Sequence, residues 1–232
     1  MTDIASNFTQ VSNNINDLCQ NAQRSTQSVQ LLAVSKTRPA DQLRQLHLLG
    51  QLHFGENYLQ EALDKQQQLQ DLPLIWHFIG PIQSNKTRAI AENFSWVHSV
   101  DRLKIAKRLA EQRPGSLAPL NICIQVNISN ESNKAGCLID ETLQLIDQIA
   151  LLPQLKVRGL MAIPKATTDV VEQQQAFSAL ADLLKQCQQQ HPSLDTLSMG
   201  MSADIGPAIK CGATIIRVGT ALFGARDYSN KV

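Results

Sequence analysis

The chain has 232 residues, of which 43% are hydrophobic and 18% charged, and its formal net charge is +1. This balance is typical of a globular protein and excludes a strong field for nucleic acid or an acidic membrane surface. No apolar run reaches the ~20 residues of a membrane span, and the N-terminus lacks the pattern of a signal peptide. The five cysteines are far apart and form no Cys-x-x-Cys pair, which favours a reducing cytoplasm over a disulfide framework or a zinc site.

Apolar periodicity predicts one amphipathic helix followed by alternating strands and helices. The helix is indicated by a stripe at intervals of three and four residues, namely Ile4, Phe8, Val11, Ile15 and Leu18. Short apolar, β-rich runs then predict strands at 31–35, 53–57, 74–79, 94–98, 121–127, 155–163, 196–200 and 214–218. Helical patterns separate them at 39–49, 58–69, 84–92, 101–112 (capped by Asp101), 139–152, 170–190 and 203–210.

This alternation predicts parallel βαβ units, and eight of them close into a (β/α)8 TIM barrel. No break in composition marks a linker, so residues 1–232 are predicted to form a single domain with an extra N-terminal helix. The alternative is an open doubly wound α/β sheet.

The first strand leads directly into Lys36. Burial disfavours the charged form of a lysine, and a neutral amine is what an aldehyde needs to form a Schiff base. Lys36 is therefore a candidate for covalent aldehyde binding. The alternative is an ordinary surface lysine just past the strand.

Two segments after the seventh and eighth strands offer groups for a phosphate, which is where barrels often hold one. Ser202 and Thr220 supply hydroxyls, and Gly219 lets the backbone N–H come close to a ligand. The alternative is that the glycines serve the turns and that Ser202 caps the following helix.

Arg217 lies between two apolar residues of the eighth strand and needs acceptors, either from a ligand or from a buried salt bridge. An aldehyde-binding amine, a phosphate cradle and this guanidinium would together suit a phosphorylated aldehyde with a ring acceptor. Pyridoxal 5′-phosphate (PLP) has all three features.

The chain resembles the pyridoxal phosphate homeostasis proteins, the YggS/PROSC family, over nearly its whole length. The resemblance rests on LAVSKT (32–37), FGENY (54–58), WHFIGPIQSNK (76–86), RGLMAI (158–163), SMGMS (198–202) and RVGTALFG (217–224). It implies a single barrel like the N-terminal domain of alanine racemase. It also implies PLP-binding roles for Lys36 (Schiff base), Asn57 (pocket wall), Ser202, Gly219 and Thr220 (phosphate), and Arg217 (pyridine nitrogen).

The resemblance further implies a carrier that takes part in intracellular PLP (vitamin B6) homeostasis by buffering or delivering the cofactor, without robust turnover. PLP-dependent apo-enzymes are the candidate recipients, and a cytoplasmic monomer is expected. One local departure from the family pattern is Ala203 together with Gly206–Pro207, which predicts a less rigid helix after Ser202.

The alternative is an amino-acid racemase of the alanine type. Arginine has no acceptor and can only donate to an unprotonated ring nitrogen, which leaves PLP a weaker electron sink. Alanine racemases share this arginine, so it does not by itself exclude racemisation. The racemases add a second domain and a catalytic tyrosine, whereas the two tyrosines here are Tyr58 and Tyr228. The sequence offers no obvious counterpart of that base.

Four further questions stay open at this point. Lys165 could serve as the amine of a Schiff-base aldolase, and the protein could be a non-catalytic scaffold. Lys134 could accept the aldehyde during transfer, or simply be a solvated loop residue. His77 and His98 are predicted either for the core or for the rim of the barrel.

Overall fold

The computed structural model describes residues 3–131 and 134–225. In that part of the chain, eight parallel strands pair in chain order and close into a barrel. The closure is seen in the register, since Leu32 of the first strand lies opposite Arg217 of the last and Ala33 opposite Phe54 of the second. The predicted (β/α)8 barrel is confirmed, and the open doubly wound sheet is wrong.

The strands are short, and most of their residues are buried. Their bounds are β1 Gln30–Val34, β2 His53–Glu56, β3 Ile75–Phe78, β4 Trp96–Val100, β5 Leu120–Gln125, β6 Leu155–Met161, β7 Thr196–Met201 and β8 Ile215–Val218. Burial on both faces fits a parallel sheet that is covered by helices and filled by its own side chains.

One helix follows each strand and an extra helix precedes the first strand, as predicted, except that the helix after the eighth strand was not predicted. The bounds are α1 Ile4–Asn21, α2 Ala40–Leu48, α3 Leu59–Gln68, α4 Thr87–Asn93, α5 Leu103–Gln112, α6 Thr142–Ala150, α7 Val170–Gln188, α8 Ile205–Lys210 and α9 Thr220–Phe223. Short 3₁₀ turns at Thr26–Ser28 and Ser84–Lys86 precede β1 and α4.

Helix α1 begins where Asp3 caps it, because this carboxylate accepts hydrogen bonds from the N–H groups of Ala5 and Ser6 at 3.1 Å each. Its apolar face lies against α8 and α9. These two helices follow the strands whose loops were predicted to hold a phosphate, so α1 supports that part of the barrel from outside.

The fourth strand was predicted two residues too early. Phe94 is buried but ends α4, where its N–H donates to the carbonyl of Ile90 at 3.1 Å, so its apolar signal belongs to the helix. The predicted cap of the next helix is also wrong. Arg102 occupies the cap position without a side-chain hydrogen bond, and Asp101 instead pairs with Arg102 at 2.6 Å.

Several polar side chains are placed in the barrel interior. His77 and His98 are fully buried, so they are core residues and not rim residues.

All five cysteines are free thiols, four of them buried and Cys211 only half-buried at the end of α8. None of the described helices is both long and apolar enough to cross a membrane.

Candidate functional site

A cavity of about 280 Å³ opens at the carboxyl ends of the barrel strands. The loops after β1, β2, β7 and β8 contribute polar side chains, and apolar residues such as Val34, Ile79 and Met161 form part of the wall. All six residues predicted from the sequence line this one cavity, namely Lys36, Asn57, Ser202, Arg217, Gly219 and Thr220. The structure therefore brings together groups that lie up to 184 positions apart in the sequence.

Lys36 lies two residues beyond the end of β1, and both of its neighbours are fixed in place. The hydroxyl of Ser35 donates to Glu56 Oε1 at 2.7 Å, and the carbonyl of Ser35 accepts from Lys65 Nζ at 2.7 Å. On the other side, Thr37 adopts a left-handed conformation (φ 64°) and its N–H donates to Glu61 Oε1 at 2.5 Å. The backbone that carries the candidate amine is therefore held from both sides.

An ion-pair cluster formed by Glu56, Glu61 and Lys65 holds these neighbours, with Glu56 and Lys65 buried and Glu61 partly exposed. Lys65 Nζ lies 2.7 Å from Glu56 Oε1 and 2.5 Å from Glu61 Oε1. Burial raises the pKa of Glu56, while the charge and hydrogen bond of Lys65 oppose that rise. One ammonium thus pairs with both carboxylates. The pairing matters most for Glu56, because an unpaired charge is costly where the side chain has no exposed surface.

Arg217 is almost fully buried, yet its acceptors are not carboxylates. Nη1 donates to the carbonyl of Ser198 at 2.5 Å and to Ser198 Oγ at 2.9 Å, and Nη2 donates to the carbonyl of Ala162 at 2.9 Å. Burial lowers the pKa of Arg217 to about 10, so the group remains a cation at neutral pH. The alternative of a direct buried salt bridge is wrong among the described residues.

The candidate phosphate cradle lies between the ends of β7 and β8. Gly219 begins α9, and a Cβ on it would lie 3.2 Å from the carbonyl oxygen of Val34, so the absence of a side chain allows the backbone to approach β1 closely. Ser202 does not cap α8, as the alternative had it, because Asp204 occupies that position. The helix after Ser202 forms despite Gly206–Pro207 and covers Ile205–Lys210.

Asn57 follows β2 directly, and its Oδ1 is buried with no hydrogen-bond partner in the described structure. A buried amide oxygen without a partner is costly, so it points to a ligand group that can donate to it. Gly80 packs closely against the backbone of this loop. A Cβ on Gly80 would lie 2.2 Å from the backbone oxygen of Asn57, so only glycine allows this approach.

The other candidate residues lie apart from this set. Lys165 lines a separate depression of about 220 Å³ beside Ser129. Lys134 donates to the carbonyl of Pro164 at 3.1 Å and pairs with Glu131 at 2.9 Å. Tyr58 is 56% exposed at the start of α3, and Tyr228 lies outside the described residues.

Sequence reasoning missed the groups that support the cavity. Lys65 is the clearest case, because its position four residues after Glu61 looks like an ordinary exposed helix pair. The signal that could have revealed it is Ala62, a small apolar residue three positions before Lys65 and therefore on the same helix face, and the structure shows that Ala62 is fully buried. Ser198 stands inside a quoted motif, but its contact with Arg217 depends on how β7 and β8 meet.

A comparison with models of protein families identifies the class of protein to which this barrel and its cavity belong. The model, described as the alanine racemase N-terminal domain, matches residues 7–227. A pyridoxal phosphate homeostasis protein of Pseudomonas aeruginosa is 57% identical over 228 residues, covering 98% of each chain. The corresponding protein of Escherichia coli K12 is 48% identical over 234 residues, covering both chains completely.

A solved structure agrees with these relatives. PipY of Synechococcus elongatus, with PLP bound, has a TM-score of 0.79 and 41% identity, covering 90% of this chain and 99% of that one. The present chain belongs to the family of pyridoxal phosphate homeostasis proteins.

Proposed function

We propose that this protein binds PLP in the cavity at the carboxyl ends of the strands and takes part in PLP homeostasis. The observation that carries the proposal is that an amine, two hydroxyls, a glycine N–H and a guanidinium line one cavity of about 280 Å³. Its relatives are named for this role, and the similar PipY has been solved with PLP bound.

The residues present fit the chemistry of PLP. When bound, PLP supplies an aldehyde that an amine can capture as a Schiff base, and Lys36 is the lysine that lines the cavity. Ser202, Gly219 and Thr220, which line the same cavity, would hold the phosphate. Asn57 Oδ1, buried and without a partner, would accept a hydrogen bond from the bound molecule.

Arg217 would face the ring nitrogen. Its three hydrogen bonds to protein oxygens use three of the five guanidinium N–H groups, and the remainder can serve a ligand. Because arginine only donates, it would meet an unprotonated nitrogen and keep it unprotonated. This favours holding the cofactor over activating it strongly.

The experiment is an absorbance spectrum of the purified protein with added PLP. We expect a visible band that disappears on borohydride treatment and is absent in Lys36→Ala. The matched controls are Lys165→Ala and Lys134→Ala, which should keep the band. A colourless wild type, or a borohydride-fixed label on Lys165, would contradict the proposal.

We propose further that the protein is a carrier and not a racemase. The support is the position of Tyr58, which is exposed at the start of α3 and does not line the cavity. Incubation of the PLP-loaded protein with L-alanine in deuterated water tests this, because racemisation requires exchange of the α-hydrogen. Exchange at a catalytic rate would establish the racemase alternative.

Delivery to PLP-dependent apo-enzymes, a monomeric state and a cytoplasmic location complete the proposal. The five free thiols support the last point, since they are the form in which a reducing compartment keeps cysteine. Transfer can be measured as the activation of a PLP-dependent apo-enzyme by loaded protein, and Lys134→Ala in the same assay tests whether that lysine takes part.

A further inference from the structure

A line of hydrogen bonds crosses the barrel interior and ends on Arg217. His53 Nδ1 lies 2.9 Å from His77 Nε2, and His77 Nδ1 lies 2.9 Å from His98 Nε2. His98 Nδ1 lies 2.8 Å from Ser198 Oγ, which accepts from Arg217 Nη1 at 2.9 Å. We call these four residues, His53, His77, His98 and Ser198, the relay.

The relay passes through the centre of the barrel. Its contact between His98 and Ser198 joins β4 to β7, and these strands are not neighbours in the sheet. His53 is the first residue of β2 and is only half-buried, so the relay runs from the amino-terminal end of the barrel towards the cavity.

Arg217 sets the direction of every hydrogen bond in the relay. A guanidinium has only donors, so Ser198 Oγ accepts from it and directs its own proton to the one ring atom that the described contacts offer, His98 Nδ1. His98 must then carry its proton on Nε2 and donate to His77, and His77 likewise donates to His53. One cation thus fixes the tautomers of the rings.

The surroundings keep the rings neutral. Burial, with a smaller contribution from the charge of Arg217, lowers the pKa of His98 to about 3. Burial and the two adjacent rings hold the pKa of His77 well below its usual range, and burial lowers the pKa of His53. Burial raises the pKa of the Cys123 thiol on β5 to about 12, which leaves that group neutral too.

Arg158, Asp195 and Asp204 are further charged groups near the relay. The ring of Trp96 stacks on His77 with centroids 5.4 Å apart, and the guanidinium of Arg158 lies over the Trp96 ring at 4.8 Å from its centroid. Arg158 is paired with Asp195 at 2.6 Å. Asp204, before α8, accepts from the N–H of Met201 at 2.5 Å, and its charge opposes the fall in the pKa of Arg217.

We propose that the relay residues are positioning residues that hold Arg217 as a fixed donor towards an unprotonated nitrogen of a bound heteroaromatic ring. This rests on the proposed function, because PLP is the ring considered. A proton added at His53 would reverse the hydrogen bonds and bring a second donor, His98 Nδ1–H, onto Ser198 Oγ.

The tautomers can be tested in the protein without ligand. The ¹⁵N spectrum of its imidazoles at neutral pH should show His53, His77 and His98 neutral, with the proton on Nε2 in His77 and His98. A charged ring at any of the three positions, or a proton on Nδ1 of His98, would overturn the direction of the relay.

The action on the ligand is tested by comparing PLP with its 1-deaza analogue, which has a carbon in place of the ring nitrogen. Ser198→Ala removes one acceptor of Arg217 and should raise the Kd for PLP roughly tenfold, as expected for a lost hydrogen bond to a charged group. The Kd of the analogue should change little. Ser198→Thr keeps the hydroxyl and should restore PLP binding.

An equal loss for both ligands would mean that Ser198 is only structural, and the relay proposal would be overturned while the proposed function stands. A wild type that binds neither ligand would overturn the proposed function, and the relay's role in it as well. His98→Leu, which removes the acceptor of the Ser198 hydroxyl, provides the same comparison should Ser198→Ala fail to fold.

Discussion

At the scale of single residues, the loop that carries Asn57 depends on the missing side chain of Gly80. A Cβ at this position would lie 2.2 Å from the oxygen and 2.8 Å from the carbon of the Asn57 carbonyl. Backbone cannot yield as a flexible side chain can, so either the loop or β3 must shift. The cavity wall would move with it.

We therefore expect Gly80→Ala to lower the free energy of unfolding by roughly 1–3 kcal/mol, as overpacked sites do, and to weaken PLP binding. Gly115→Ala is the matched control, because a Cβ there would meet nothing within 4 Å. Urea denaturation and PLP titration of both variants provide the measurement. Equal stability of the two variants would contradict the close contact.

At the scale of elements, the ion-pair cluster connects α3 to the ends of β1 and β2. Lys65 extends from the inner face of α3 and contacts Glu56, which has no exposed surface. The pair fixes the loop of Lys36 more than it stabilises the fold, since removing two charges from water offsets much of their attraction. Loss of one partner destabilises the protein, because it leaves the other charge buried and unpaired.

Lys65→Met should therefore lower the free energy of unfolding by about 3–5 kcal/mol, the usual loss when one partner of a buried pair is removed. Glu56→Gln in the same chain should recover part of that loss. Arg44→Ala, which breaks an exposed pair with Asp71, should cost far less. Denaturant titrations of the three variants would measure these losses in the free energy of unfolding. Similar losses for Lys65→Met and Arg44→Ala would refute the role of burial.

Elements also show what could and could not be predicted from the sequence. The strands were predicted because each one is a short apolar run, and the closed barrel followed from their number. Phe94 misled the prediction, because burial at a helix end looks the same in sequence as burial in a strand. Lys36, Arg217 and the residues of the candidate cradle were predicted to lie together because barrels place ligands at a known end of the strands, and the structure brings them to one cavity.

The supporting contacts could not be predicted in this way. Ser198 lies 100 positions from His98 in the sequence, and only the closed sheet brings the two side chains within 2.8 Å. The sequence left open whether His77 and His98 are core or rim residues. The answer depends on which side chains of each strand point into the barrel. That can be decided only when the positions of all the strands are known.

At the scale of the whole molecule, the buried rings make stability depend on pH. His98 has a pKa of about 3 when folded and about 6.5 when unfolded, so between these values the unfolded chain binds a proton that the folded chain does not. Its contribution is therefore complete above pH 6.5 and is lost as the pH falls towards 3. Burial of His77 acts in the same direction.

From His98 alone we expect the free energy of unfolding to fall by about 2 kcal/mol between pH 8 and pH 5. His98→Asn should be less stable at pH 8 but should lack this part of the pH dependence. Parallel urea titrations of both proteins at several pH values give the difference directly. Identical slopes would show that folding does not lower the pKa of His98.

The half-buried thiol of Cys211 has a practical consequence. The other four cysteines lie in the interior, so a maleimide dye should label the native protein at this one position without any engineering. Cys211 occupies the C-cap position of α8, the helix that follows Ser202. Its sulfur lies 3.3 Å from the hydroxyl of Ser178 on α7. Fluorescence from such a dye would report movements of α8 against α7 as cofactor enters or leaves, in real time and at nanomolar protein concentrations.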